Sequence, residues 1–239
     1  MSSVSSSRRP SRASLVACLA LALLLWGGEA RAEAGRASVP ASGHLAWAQV
    51  AVRSAPSATA ARTTVLTQFR RDFRPRVVLA LGARHDAQGR PAWYRISLPG
   101  RPNGRTGWVP ARSLDLSPVS KEIVIDRSDR TLELRNGGRV QLRTRVAVGA
   151  PGMETPLGHF YVMAKFRPTA PILGAYAFET SAYSKLSEWP GGGIVGIHGT
   201  NAPWLLGQAV SHGCVRVANE VILRLSRLVP VGTPIRIVA

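Results

Sequence analysis

The sequence of 239 residues is poor in acids: 13 Asp and Glu stand against 31 Lys and Arg, a formal charge of +18. An excess of that size calls for a strongly solvated surface or a polyanionic partner. Cysteine is nearly absent, with only Cys18 and Cys214, which excludes a disulfide-stapled scaffold. Long apolar runs are missing but for one, Leu15 to Trp26, too short for a comfortable membrane span. Internal repeats and the aromatic-basic motifs of nucleic-acid binders are missing as well, so nucleic acid is not an expected partner.

The one apolar run has a specific setting. Arg8, Arg9 and Arg12 precede it, Gly27-Gly28 end it, and Ala30-Arg31-Ala32 has the form of a cleavage site. Residues 1–32 therefore read as a secretory signal peptide; left uncleaved, that segment would be the chain's route to a membrane. Leu15-Val16-Ala17-Cys18 has the look of a lipoprotein box. It is rejected, because it opens the apolar run instead of following it. Arg8-Arg9 is a twin-arginine-like pair. Cleavage would remove four arginines and one glutamate, leaving +15, and would remove Cys18. Cys214 would then have no intramolecular partner. A single unpaired thiol in an exported chain points to a reactive one.

What remains reads as mainly β. Residues 33–42 (EAGRASVPAS) are small and polar and read as a linker. From 43 to 117, short apolar pieces alternate with turn residues: Trp47 to Val52, Val77 to Leu81, Trp93 to Leu98 and Gly107 to Pro110. That spacing predicts a small β-barrel. After Ser117-Pro118-Val119-Ser120 the β pattern returns. Ile123 and Ile125 alternate, and Thr131 to Arg135 leads through Asn136-Gly137-Gly138 into a partner strand carrying Val140, Leu142, Val146 and Val148. Phe160, Val162, Ala164 and Phe166 alternate again. Residues 167–193, rich in Pro, Gly and Ser, read as a long loop of the kind that carries function. One helix is expected, capped by Asn219, with Val221, Ile222, Leu225 and Leu228 on its apolar face. Ile235 to Val238 is a closing strand.

The chemistry gathers late in the chain. His198 follows the apolar Val195-Gly196-Ile197, and His212 lies two residues before Cys214. A thiol with its ordinary pKa near 8.5 is a poor nucleophile at neutral pH. It needs an imidazole in reach and N–H groups facing the developing oxyanion. Gly213 lets the backbone approach a substrate closely. Other readings stand beside a nucleophile. Cys214 could be a small buried hydrophobe, or His198, His212, Cys214 and His159 could hold zinc, although the spacing fits no common zinc pattern. Gly213 and the two histidines favour the nucleophile.

Two resemblances sharpen this. "WYRISLPGRPNGRTGWVPARSL" (Trp93 to Leu114) resembles a bacterial Src-homology-3-like domain, spanning about 43–117. The face of Trp93 or Trp108 could stack on a ligand, but core packing is the favoured role of each. "GIHGTNAPWLLGQAVSHGCVRVAN" (Gly196 to Asn219) resembles the signature of L,D-transpeptidases, an upstream His followed after a loop by S-H-G-C-[VI]-R. "TPLGHFYV" (Thr155 to Val162) and "VPVGTPIRI" (Val229 to Ile237) are similar to further segments of that family, so the likeness spans about 120–238. His159 departs from the family pattern and has no role assigned.

The second resemblance implies a mostly-β catalytic domain that needs no metal or organic cofactor and acts on peptidoglycan stem peptides in the periplasm or cell wall. Cys214 would form a thioester with a tetrapeptide donor, and the amine of a second stem would release it, linking two third-position residues. Water as acceptor would make the enzyme a carboxypeptidase, and a protein lysine would make it a protein-anchoring transferase. A non-catalytic wall-binding protein is the remaining alternative. The implied roles are His198 as general base, the Gly199 carbonyl fixing its tautomer, His212 as second imidazole, and the Gly213 and Cys214 N–H groups as oxyanion donors. Ser211 would bond local backbone. Arg216 would pair with a stem carboxylate or, as readily, hold the scaffold through a salt bridge. Tyr183 would cover the donor, and Asn201 would shape the loop. Residues 33–118 carry 13 basic and 4 acidic residues and 119–239 carry 14 and 8. The N-terminal part thus holds more than half the excess, as docking on anionic wall polymers would require.

Overall fold

A computed structural model describes residues 38–188 and 192–239. The expected signal peptide, and the expected linker up to residue 37, lie outside the described residues. Residues 37–239 form one compact unit.

The first part of that unit is an antiparallel sheet of seven strands: β1 (Ala41–Leu45), β2 (Gln49–Arg53), β3 (Arg62–Thr67), β4 (Val77–His85), β5 (Pro91–Ser97), β6 (Thr106–Pro110) and β7 (Leu114–Pro118). Their order is β3-β2-β6-β5-β4-β1-β7. A period of two decides which side chains go inside. Val50 and Val52, Val78 and Ala80, Tyr94 and Ile96 pack with Leu45, Leu98 and Val109 into one core. β1 starts inside the stretch read as a linker. Gly43 allows its pairing with β7, since a Cβ there would lie 1.8 Å from the Asp115 carbonyl oxygen.

The second part is a mixed sheet of eight strands. They are β8 (Lys121–Asp126), β9 (Thr131–Asn136), β10 (Arg139–Arg145), β12 (Gly158–Phe166), β13 (Ala177–Tyr183), β14 (Ile194–His198), β16 (Val215–Arg216) and β17 (Pro234–Val238). The order is β10-β9-β8-β17-β12-β13-β14-β16. β11 (Val148–Gly149) and β15 (Ala209–Ser211) form a separate parallel pair. The strand expected to continue through Val148 is therefore broken after Arg145, because Val148 pairs with β15 and not with β9. The loop expected over 167–193 is also corrected, since β13 lies within it. Its residues Ala177 to Ala182 are nearly all buried between β12 and β14, which outweighs their weak β-propensity.

The one α-helix among the described residues, α1 (Asn219–Leu228), buries Ile222 and Leu225 on the sheet core. Its cap is Ala218, which makes no side-chain bond; Asn219 is already helical. The expected Asn219 cap is thus corrected: its amide is engaged elsewhere.

β12 is buried on both faces at Phe160, Tyr161 and Val162. Phe160 and Val162 belong to the sheet core, whereas Tyr161 turns to the N-terminal sheet and donates to the Val77 carbonyl at 3.2 Å. Further contacts join the two sheets. Arg101 Nη2 donates to Ser184 O at 2.8 Å, and Asn103 exchanges two hydrogen bonds with the Tyr183 backbone at 2.8 and 3.0 Å. Arg70 forms an ion pair with Glu179.

Candidate active site

Alternation along three neighbouring strands builds the site. On β14, Val195 and Ile197 enter the core, so Gly196 and His198 face the other way. After Cys214, Val215 and Val217 enter the core, so Cys214 and Arg216 share that outer face. β14 and β16 run parallel with His198 opposite Arg216, and β13 places Glu179 opposite Gly196. Together they line a cavity of about 570 Å³, with Phe166 and Ile172 among its apolar walls.

His198 is 4% exposed, and its Nδ1 lies 2.6 Å from the Gly199 carbonyl oxygen. A carbonyl only accepts, so Nδ1 carries the proton and Nε2 presents a lone pair. Burial pulls the imidazole down to about 4; the Gly199 bond opposes this and the Arg216 charge adds to it. His198 is thus neutral at physiological pH. Cys214 is half-buried, and its Sγ accepts from the Gly196 N–H at 3.3 Å. Burial pushes its thiol up, against the Gly196 bond and the Arg216 charge. The resting pair is a neutral thiol beside a neutral imidazole. Gly196 gives them their space: a Cβ there would lie 3.6 Å from His198 Cδ2 and 3.9 Å from Cys214 Sγ.

Backbone and hydroxyls hold the cysteine loop. Ser211 Oγ donates to Cys214 O at 2.5 Å and accepts from Gly213 N–H at 3.1 Å. Gly213 has φ +112, and a Cβ there would meet Ser184 Cβ at 2.9 Å. Thr155, fully buried, accepts from Gly149 N–H and donates to Gly213 O, both at 2.9 Å. In this arrangement the Gly213 N–H, expected to face an oxyanion, is engaged by Ser211 Oγ.

Asn219 performs the matching task for His198. Its Oδ1 accepts from Ala175 N–H at 2.9 Å and Thr200 N–H at 3.2 Å, and its Nδ2 donates to Thr200 O at 2.9 Å. The approach is so close that a Cβ on Gly199 would lie 2.2 Å from Oδ1.

His198, His212, Cys214, Ser211 and Arg216 all line the cavity, whereas Tyr183, Asn201 and His159 do not. Tyr183 ends β13 under the Arg101 guanidinium, 5.0 Å from its ring centroid. Asn201 is exposed on the loop, and His159 is exposed on β12. Among the described residues no three His, Cys, Asp or Glu groups converge as a metal site. Four residues that the local sequence does not single out for these tasks are built into the site: Arg70, Thr155, Glu179 and Asn219. Thr155 lies in a segment with a family likeness, and Asn219 is the last residue of the stretch that resembles the signature. Arg70 and Glu179 have no local signal.

The L,D-transpeptidase catalytic domain of the YkuD family matches residues 120–237. The chain is 31% identical over 173 residues to YkuD of Bacillus subtilis (strain 168), covering 72% of this chain and 92% of that protein. It is 46% identical over 129 residues to YqjB of the same organism, covering 50% and 72%. An L,D-transpeptidase structure from Mycobacterium tuberculosis H37Rv superimposes with a TM-score of 0.46 at 17% identity, over 69% of this chain and 90% of that one. The chain belongs to the L,D-transpeptidase family, enzymes that act on the stem peptides of peptidoglycan.

Proposed function

We propose that this enzyme cross-links peptidoglycan through a Cys214 thioester. One observation carries the reading: a buried, neutral His198, its tautomer set by Gly199, shares the Gly196 surface with the thiol. The His198 Nε2 lone pair removes the Cys214 proton as sulfur attacks the carbonyl of the third residue of a tetrapeptide stem. Charge that develops on the carbonyl oxygen faces the Cys214 N–H. Collapse breaks the amide bond, and His198 returns the proton to the departing D-alanine amine. The amine of a second stem then attacks the thioester. His198 takes its proton, the new amide forms, and the thiol is restored. His212, on the cavity rim, orients the incoming amine, and Arg216 pairs with a stem carboxylate. No step calls for a metal or organic cofactor.

The supporting roles are proposals of the same standing. Residues 1–32 direct export, so the enzyme works in the periplasm or cell wall. Residues 43–117 form a Src-homology-3-like module whose positive charge favours anionic wall polymers, and 120–238 form the catalytic domain. Incubation of the mature chain with disaccharide-tetrapeptides, followed by mass spectrometry, tests the reading. A dimer that lacks one D-alanine is the expected product. Tripeptide monomer alone would make the acceptor water, and folded protein yielding no acyl adduct would refute the enzyme.

A further inference from the structure

Among the described residues, two buried side-chain nitrogen or oxygen atoms have no hydrogen-bond partner: Arg70 Nη1 and Arg216 Nε. Both residues line the Cys214 cavity. Orphaned donors of this kind are costly and are ordinarily paired, so two in one cavity mark a place for an acceptor. Arg216 comes from the strand beside the nucleophile. Arg70 comes from the N-terminal part of the chain, in the turn after β3, and nothing in the transpeptidase signature includes it.

The turn holds Arg70 firmly. Arg70 N–H donates to Arg74 O at 2.9 Å, and Phe73 N–H returns to Arg70 O at 3.1 Å. Arg74 lies over the Phe166 ring, 5.6 Å from its centroid, and Phe166 is itself a cavity wall. Arg70 Nη2 pairs with Glu179 and lies 3.5 Å from Asp72 Oδ2. Both carboxylates thus meet the same end of the fork, and Nη1 is left over. A guanidinium anchored at one nitrogen and free at the other is preorganised for an incoming carboxylate. Side-chain entropy has already been lost to Glu179, so binding costs little more.

We propose that Arg70 of the N-terminal module, together with Arg216, binds a carboxylate of the stem peptide and so makes the module part of the catalytic pocket. This rests on the transpeptidase reading above. The two carboxylates next to the cleaved bond have the right chemistry: that of the terminal D-alanine and, where the third residue is a dicarboxylic diaminoacid, the one on its side chain. The proposal is confined to these two. Arg70 is a specificity-determining residue here. It does not touch the sulfur or the transferred proton.

The test crosses enzyme variants with amidated substrates. Arg70→Lys keeps a cation for Glu179 but lacks the second nitrogen, and Arg70→Gln removes the charge. Each is assayed on tetrapeptide stems with both carboxylates free, with the terminal one as carboxamide, and with the third-residue one as carboxamide. Loss of a charge-assisted hydrogen bond should raise KM roughly 10- to 100-fold in both variants with little change in kcat. One of the two amidated stems should show that high KM already with the wild type and no further rise in the variants, which identifies the carboxylate. Alkylation of Cys214 by uncharged iodoacetamide should proceed at the wild-type rate, which reports an intact site. If both amidated stems lose as much as the free one on substitution, or none loses anything, the proposal is overturned while the transpeptidase reading stands. If Arg70→Gln does not fold, Arg70→Lys and the amidated stems with wild-type enzyme decide. Wild-type enzyme that forms no acyl adduct with any stem refutes the underlying reading instead.

Discussion

His198 Nδ1 sits 2.6 Å from the carbonyl oxygen of its neighbour, Gly199. One backbone oxygen thereby does what a carboxylate does in a Ser-His-Asp triad: it fixes the tautomer and aims Nε2 outward. The difference is charge. A neutral carbonyl does little to stabilise an imidazolium, so burial dominates and His198 rests neutral. His198 and Cys214 therefore rest as a neutral pair, and in the mechanism proposed above the proton moves only as the thiol attacks.

That starting point sets the acid limb of the rate. Acylation of Cys214 should fall with decreasing pH with a midpoint about 4, as His198 takes a proton and loses its lone pair. Stopped-flow acylation by a carbapenem-type β-lactam, an inhibitor class that the family resemblance suggests, would read it. A midpoint near 6.5 would mean a solvated imidazole and contradict the burial argument.

Stability should follow the same group. Folded His198 stays neutral down to about 4, whereas an exposed histidine takes its proton near 6.5. Between those values the unfolded chain binds more protons, so stability is lost as pH falls through that window. The loss is about 3 kcal/mol by pH 4. Urea denaturation of wild type at pH 7 and pH 4 would show it, and His198→Gln should lack that component.

The two histidines should separate cleanly. His198→Ala should slow acylation by about 10²- to 10⁴-fold, and Cys214→Ala should abolish the adduct. His212→Ala should acylate within a few-fold of wild type but transfer to the acceptor amine slowly. Single-turnover mass spectrometry separates the two steps. Slow acylation in His212→Ala with normal acylation in His198→Ala would exchange their roles.

Thr155→Val tests the support of the cysteine loop. The substitution keeps the shape and leaves Gly149 N–H and Gly213 O without their partner. It should cost roughly 1–3 kcal/mol in thermal or urea unfolding. It should also lower kcat more than it raises KM, because the loop carrying Cys214 loses its anchor. An unchanged kcat would limit Thr155 to stability.

Asn219→Ala tests the support of the histidine. It frees Ala175 N–H, Thr200 N–H and Thr200 O at once, and roughly 2–4 kcal/mol of stability should go with them. The His198 imidazole resonances should shift in the NMR spectrum, since the loop that fixes Gly199 is no longer tied to α1. Unshifted resonances would show that Gly199 holds its place without Asn219.

The local sequence carried much of this protein. Period-two alternation at Phe160 to Phe166 marked a real strand, because which face is buried is written into the side chains themselves. The S-H-G-C-V-R stretch and the upstream His198 pointed to the family, since a candidate nucleophile, a candidate base and a tight glycine turn have few substitutes. By contrast β13, hidden in a Pro- and Gly-rich stretch, is a strand because β12 and β14 lie on either side of it. Asn219 looked like a helix cap because Asn often is one; α1 does not decide its role, and the nearby Thr200 backbone does. The free end of Arg70 was invisible for the same reason. One arginine among 31 basic residues becomes a candidate ligand only when folding places it against Glu179, 109 positions away, and buries a nitrogen with nothing to bond. Short-range pattern and motif chemistry are properties of the chain by itself; who is left unpaired in a cavity is a property of the packed whole.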